Sequence, residues 1–199
     1  MKKTLIALAA VASVLTSGAA MAQSYDGSSP WLVRMRAVHM DSQNGGPAGA
    51  AGVSVNNKWM PEVDISYFFT PNISAELILT YPQKHDVRLG GDRIGSLKHL
   101  PPTLLAQYHF TNMGAFKPYL GAGINYTRFS SVNILDGALT VKKNSFGPAL
   151  QVGFDYALDK NWSLNVDVKK VYIDTTVSGG IGKFKVDPLL FGLGVGYRF

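Results

Sequence analysis

Eight stretches of this chain repeat with a period of two: apolar residues hold every second position, and most of the small, polar and charged residues lie between them. An extended backbone sends successive side chains to opposite faces, so the pattern predicts strands with one greasy face and one polar face. The stretches are residues 31–40, 62–69, 73–81, 103–110, 117–129, 147–156, 162–173 and 189–199. In the last, LLFGLGVGYRF, Phe191, Leu193, Val195, Tyr197 and Phe199 share one parity, while Leu190, Gly192, Gly194, Gly196 and Arg198 share the other. Short connections (70–72, 111–116 and 157–161) alternate with long ones (41–60, 82–102, 130–145 and 174–187). Short turns at one end, long loops at the other and an even strand count are the signature of a transmembrane barrel.

A soluble lipid-binding barrel has the same periodicity with its faces reversed, and residue size separates the two. An eight-stranded barrel has little interior room, so the parity carrying Gly121, Gly123, Gly153, Gly192, Gly194 and Gly196 belongs inside. The bulky parity then faces outward, which only lipid tolerates. The small parity also holds Arg34, Arg36, Glu62, Asp64, Glu76, Asp155, Asp167, Lys169 and Arg198. Arg or Lys on the lipid face at mid-membrane would cost about 2–4 kcal/mol. Arg128 breaks the pattern where it reaches headgroups, and Lys170 predicts either a bulge near Lys169-Lys170 or a snorkelling side chain. Trp31, Tyr67, Phe69, Tyr108, Phe110, Tyr156, Trp162, Tyr197 and Phe199 cluster near the short-turn end as an interfacial girdle. The predicted fold is all-β: an eight-stranded antiparallel transmembrane β-barrel.

The first 22 residues read as a secretory signal peptide: Lys2 and Lys3, an apolar run from Thr4 to Leu15, and the A-x-A site Ala20-Met21-Ala22. Residues 23–199 form the single barrel domain. The net charge of +6, reduced by two with the signal segment, names no partner, and scattered basic residues exclude a nucleic-acid surface. Cysteine is absent, and His39, His85, His99 and His109 lack metal-ligand spacing, so neither a metal nor a cofactor is expected. The glycines of GLGVGYRF open no helix and make no phosphate loop.

Several stretches resemble one known family. HLPPTLLAQYHF (99–110), KPYLGAGINYTRF (117–129), QVGFDYALDKNW (151–162), IDTT (173–176) and the final GYRF are similar to the outer membrane protein W (OmpW) family over nearly all of residues 23–199. The resemblance implies a Gram-negative outer-membrane barrel associated with passage of small, mostly hydrophobic molecules. Tyr197 and Phe199 resemble the signal read by the barrel assembly machinery, a further expected partner.

Strand direction converts position into depth. Arg34, Glu76, Gln107, His109, Asp155, Asn165 and Arg198 fall inward near the periplasmic end and predict a polar plug. Val38, Met40, Ile78, Leu105, Val171, Ile173 and Leu190 fall inward in the outer half and predict an apolar funnel, which Glu62 and Asp64 also enter; simple space-filling is the plainer role for the same side chains. Pro61, Pro101, Pro102, Pro148 and Pro188 lie at outer strand ends, where prolines commonly start strands and where a missing N–H can interrupt the wall's ladder; a gap near one of them is the expected sideways exit into lipid. The resulting expectation is passive uptake of small hydrophobic solutes. The alternatives are a sealed structural or receptor barrel contacting phage, bacteriocin or host, and a lipid-modifying enzyme using Ser96 and His99. Basic residues of the second long loop (Lys84, His85, Arg88, Arg93, Lys98 and His99) predict contact with lipopolysaccharide phosphates among the outer-membrane lipids.

Overall fold

Every backbone polar group in hydrocarbon must find an internal partner, so alternating strands in a membrane are stable only when the sheet closes on itself. The computed structural model describes residues 29–199, and the signal-peptide segment 1–22 lies outside the described residues. Eight strands form the wall: β1 (Trp31–Asp41), β3 (Lys58–Phe68), β4 (Ile73–Leu79), β7 (Thr103–His109), β8 (Phe116–Ile134), β9 (Asn144–Ala157), β10 (Trp162–Val171) and β13 (Leu189–Arg198). Each pairs antiparallel with its sequence neighbour in the wall, and β13 closes on β1 from Leu32↔Arg198 to Asp41↔Leu189.

The orientation is bulk outward. Leu193 is 61% exposed and Met35 63%, whereas Arg34 is fully buried although it neighbours Met35 in sequence. At one end Trp31, Tyr67 and Phe69 stack edge to face, as do Trp162, Tyr197 and Phe199. These contacts complete an aromatic belt at the short-turn side.

The long connections carry structure that the alternation reading missed. The first holds the short helix α1 (Gly46–Ala50) and strand β2 (Val53–Val55). The second is the hairpin β5 (Gln83–Leu89) and β6 (Asp92–Leu100), with β2 on one edge and the extended β8 on the other. The fourth is the hairpin β11 (Asp174–Val177) and β12 (Gly182–Lys185). The wall therefore continues above the membrane as an extracellular extension with its own apolar interior. No bulge occurs at Lys169-Lys170, where β10 keeps unbroken register with both β9 and β13. Lys170 snorkels instead: its ammonium reaches the Asp187 carbonyl, the Gln43 amide at 3.3 Å and the Tyr172 ring. The register shifts fall in the extension, at Val87/Arg88 and Ser96/Lys98.

Candidate functional site

The inward face of β1 supplies two arginines opposite the glycines of β13, with Arg34 paired to Gly196 and Arg36 to Gly194. A Cβ on Gly196 would sit 2.7 Å from Ser163 Oγ and 3.3 Å from Arg34 Cγ, so the glycine makes room for the guanidinium stem. Arg34 donates to both oxygens of Asp155, from Nε at 3.0 Å and Nη2 at 2.7 Å. Its Nη1 donates to Asp64 at 3.1 Å, Ser66 at 3.0 Å and Glu76 at 3.4 Å. Arg36 donates to Asp167 at 2.6 Å, to Glu76 at 2.7 Å and to Asp64. Its Nε lies 3.1 Å from Glu62 but off the line of a hydrogen bond.

Lys169 bridges Glu62 at 2.5 Å and Asp167 at 3.2 Å. Thus three cations face five carboxylates, all buried. Polar side chains fill the remaining sites: Gln151 links Gln107 to Asp167, and Asn165 donates to Asp155 and to the Tyr119 hydroxyl. The Tyr119 ring, fully buried, lies under Arg34 and occupies the space left by Gly153, where a Cβ would come within 2.6 Å of its hydroxyl. Such a network is self-consistent in a narrow lumen, because buried charges persist only when paired and hydrogen-bonded.

Above the plug the lumen turns apolar. Val38, Met40, Ile78, Leu105, Val171 and Ile173 are buried in one cluster, with Leu190 half-buried against it. A cavity of about 30 Å³ lies among Met40, Met60, Ile78, Val171, Ile173 and Leu190, with Glu62 and Lys169 among its polar lining. Higher still, a wholly apolar chamber of about 90 Å³ sits in the extension, lined among others by Val53, Val87, Leu97, Ile134, Val177 and Phe184. His85 and His99 project inward from the hairpin and stack at 4.6 Å. Burial pushes His85 down to about 4 and His99 to about 3, so both rings are neutral at physiological pH.

The wall is thinly paired beside the lower of these cavities. The β3–β4 ladder stops at Val63↔Leu79 and the β4–β7 ladder at Ile78↔Thr103, while β3 continues along β1 to Lys58. Above that point the contacts between β3 and the chain after β4 include a hydrogen bond from Thr80 Oγ1 to the Pro61 carbonyl at 3.1 Å and one from Lys58 Nζ to the Lys84 carbonyl at 3.3 Å.

The structure brings together Arg34, Glu76, Gln107, Asp155 and Asn165 of the expected plug, with His109 beneath them against Ser74, Gln107 and Tyr119. Arg198 lies lower, its guanidinium over the Phe68 ring at 4.0 Å, and lines the periplasmic mouth together with His109 and Asp155. Asp64 belongs to the plug and not to the funnel, because its register partner on β1 is Arg34. Arg36, Glu62, Asp167, Lys169, Gln151 and Tyr119 complete the network; their inward parity was visible, but not their common depth. Of the prolines, Pro61 sits inside β3 opposite Ala37, with its β1 ladder unbroken. The carbonyls of Pro102, Pro148 and Pro188 accept from Tyr126, Tyr172 and Val171, so the wall continues there; those of Pro101 and Pro102 accept from Asn125. Ser96 and His99 differ in parity on β6, with His99 inward and Ser96 outward, and form no nucleophile–base pair.

A closed barrel with a lipid-compatible exterior, an aromatic belt and a polar, ion-paired interior defines a bacterial outer-membrane β-barrel protein. The sequence model of the OmpW family matches residues 33–199, and the chain belongs to that family. It is 47% identical over 186 residues to the uncharacterized outer-membrane protein y4mB of Sinorhizobium fredii, covering 87% of this chain and 81% of the relative. It is 36% identical to outer membrane protein W of Escherichia coli over the full length of both. The dibenzothiophene metabolism operon protein PahQ of Pseudomonas aeruginosa is 29% identical over 86% of this chain and 89% of its own. Among solved structures, the outer membrane protein OprG of Pseudomonas aeruginosa superposes with a TM-score of 0.72 at 28% identity, covering 86% of this chain and 97% of that one.

Proposed function

We propose that this barrel admits small hydrophobic molecules passively from outside and releases them sideways into the membrane. The observation that carries the reading is a continuous run of buried apolar side chains, from the extension's chamber to Val38, Ile78 and Leu105, ending on the buried ion-pair network. A solute that descends this path meets charge below and a thinly paired wall at Pro61 and Thr80 beside it. Each CH₂ buried releases about 0.8 kcal/mol, enough for transient occupancy of the upper lumen. The relative PahQ belongs by name to an operon for metabolism of dibenzothiophene, an apolar aromatic, which suits such cargo. Tyr197 and Phe199 are the proposed contact for the assembly machinery.

Liposomes carrying the protein and loaded with an acceptor for hydrophobic solutes test the route. Ile78→Trp and Leu105→Trp, which fill the upper lumen, are each expected to slow uptake several-fold while the barrel folds normally. Uptake unchanged in both variants refutes the route. Wild-type flux equal to that of protein-free liposomes favours the alternative of a sealed structural or receptor barrel, which the filled plug makes the second reading.

A further inference from the structure

Beyond solute uptake, we infer that the outer rim on one side of the barrel is a binding site for the phosphorylated headgroup of an outer-leaflet glycolipid of the lipid A type. Lys84 of β5 and Lys98 of β6 are directly paired across the hairpin, and both point outward, since Gln83, His85, Leu97 and His99 fill the inward face. Lys98 pairs in turn with Ser130 of β8, and Arg128, two residues away, is exposed on the same outward face. Exposed Lys142 follows on the segment entering β9. The patch therefore crosses three strand spacings, roughly 14 Å.

Like charges directly opposite in a sheet are destabilising. The nearest acid on that face of β5, Asp86, is committed to Arg93 at 2.9 Å, and no ion pair to Lys84, Lys98 or Arg128 is found among the described residues. An external anion would relieve the cluster. Its height suits a phosphate: one outward step below Arg128 lie the exposed cross-strand pair Tyr126 and Phe146, and Tyr81, three residues before Lys84, is exposed as well. Aromatics of this kind mark the membrane interface, with the cations just above it. The site is one-sided: on the far side His39, Trp59 and Phe191 face outward, and Lys170 is held by the Asp187 carbonyl. Phosphate oxygens accept charge-assisted hydrogen bonds from ammonium and guanidinium groups, and acyl chains would lie down the apolar wall below.

The test measures binding to the detergent-solubilised, lipid-stripped barrel by native mass spectrometry and thermal shift. The ligands are bis-phosphorylated lipid A, enzymatically dephosphorylated lipid A, phosphatidylglycerol and inorganic phosphate. The expected result is a preference for bis-phosphorylated lipid A over the other three. Binding should weaken on the order of 100-fold in the Lys84→Gln/Lys98→Gln/Arg128→Gln variant and stay unchanged in Lys160→Gln at the opposite end. The single variant Lys84→Gln, which leaves the fold least disturbed, should raise the melting midpoint without ligand and shrink the lipid A-induced rise. Equal binding of dephosphorylated lipid A, equal binding of phosphatidylglycerol, full competition by inorganic phosphate, or an unaffected triple variant would each overturn the assignment. Because these readouts involve no solute flux, they stand or fall apart from the uptake reading.

Discussion

Replacing Arg36 with alanine removes the cation that holds the upper layer of the plug. Its guanidinium contacts Asp167 at 2.6 Å and Glu76 at 2.7 Å, binds Asp64 and approaches Glu62 at 3.1 Å. Without it, the same five carboxylates face only Arg34 and Lys169. Breaking a fully buried ion pair by removing one partner costs about 3–5 kcal/mol, because the remaining charge keeps its desolvation penalty. Each of the four carboxylates keeps one contact, Asp64 and Glu76 to Arg34 and Glu62 and Asp167 to Lys169, so the loss is expected within that range. The assay is reversible urea unfolding of the barrel in lipid vesicles, followed by tryptophan fluorescence and gel mobility. Two companions separate the causes. Arg36→Met keeps most of the volume and should remain destabilised by at least about 3 kcal/mol if charge is the cause. Lys183→Ala breaks a half-exposed pair with Asp174 at 2.9 Å and should cost no more than about 1 kcal/mol. An Arg36→Ala loss no larger than that of Lys183→Ala, or full stability in Arg36→Met, would refute the view of the plug as an electrostatic stopper.

Two further outcomes follow from the geometry. His85 and His99 have folded-state values lowered to about 4 and about 3, against about 6.5 in the unfolded chain. Between about pH 6.5 and 4 the opened hairpin therefore binds protons that the folded one does not, and its stability falls as pH falls. Amide exchange in β5 and β6 should accelerate at pH 5 relative to pH 7 after correction for intrinsic rates, and the acceleration should be lost in His85→Phe/His99→Phe. Gly153→Ala places a methyl 2.6 Å from the Tyr119 hydroxyl and 2.7 Å from the Val166 carbonyl, which should cost about 1–3 kcal/mol in the same unfolding assay. Tyr119→Leu in the same chain should recover part of that loss, and no recovery would show that the backbone contact dominates.

The side-chain period of two determined, residue by residue, which groups face lipid and which face the axis, because that alternation is local to each strand. The eight wall strands, the bulk-outward orientation and the aromatic belt were all legible for this reason. Even in the second long connection a local signal is present: Gly90-Gly91 between alternating residues is a hairpin turn, although His85 and His99 interrupt the apolar parity of its inward face. Depth was a different matter. Arg34 and Asp155 are 121 residues apart, and Lys169 and Glu62 are 107 apart. Which inward charges meet depends on the stagger accumulated around a closed sheet, and no local pattern encodes that. The tertiary structure alone therefore placed Asp64 among these ion pairs, opposite Arg34 on β1, and showed that the β3–β4 ladder stops at Val63↔Leu79 while β3 runs on past Pro61. It also gathered Lys84, Lys98 and Arg128 from three strands onto one outward patch, a neighbourhood created only by the pairing of those strands.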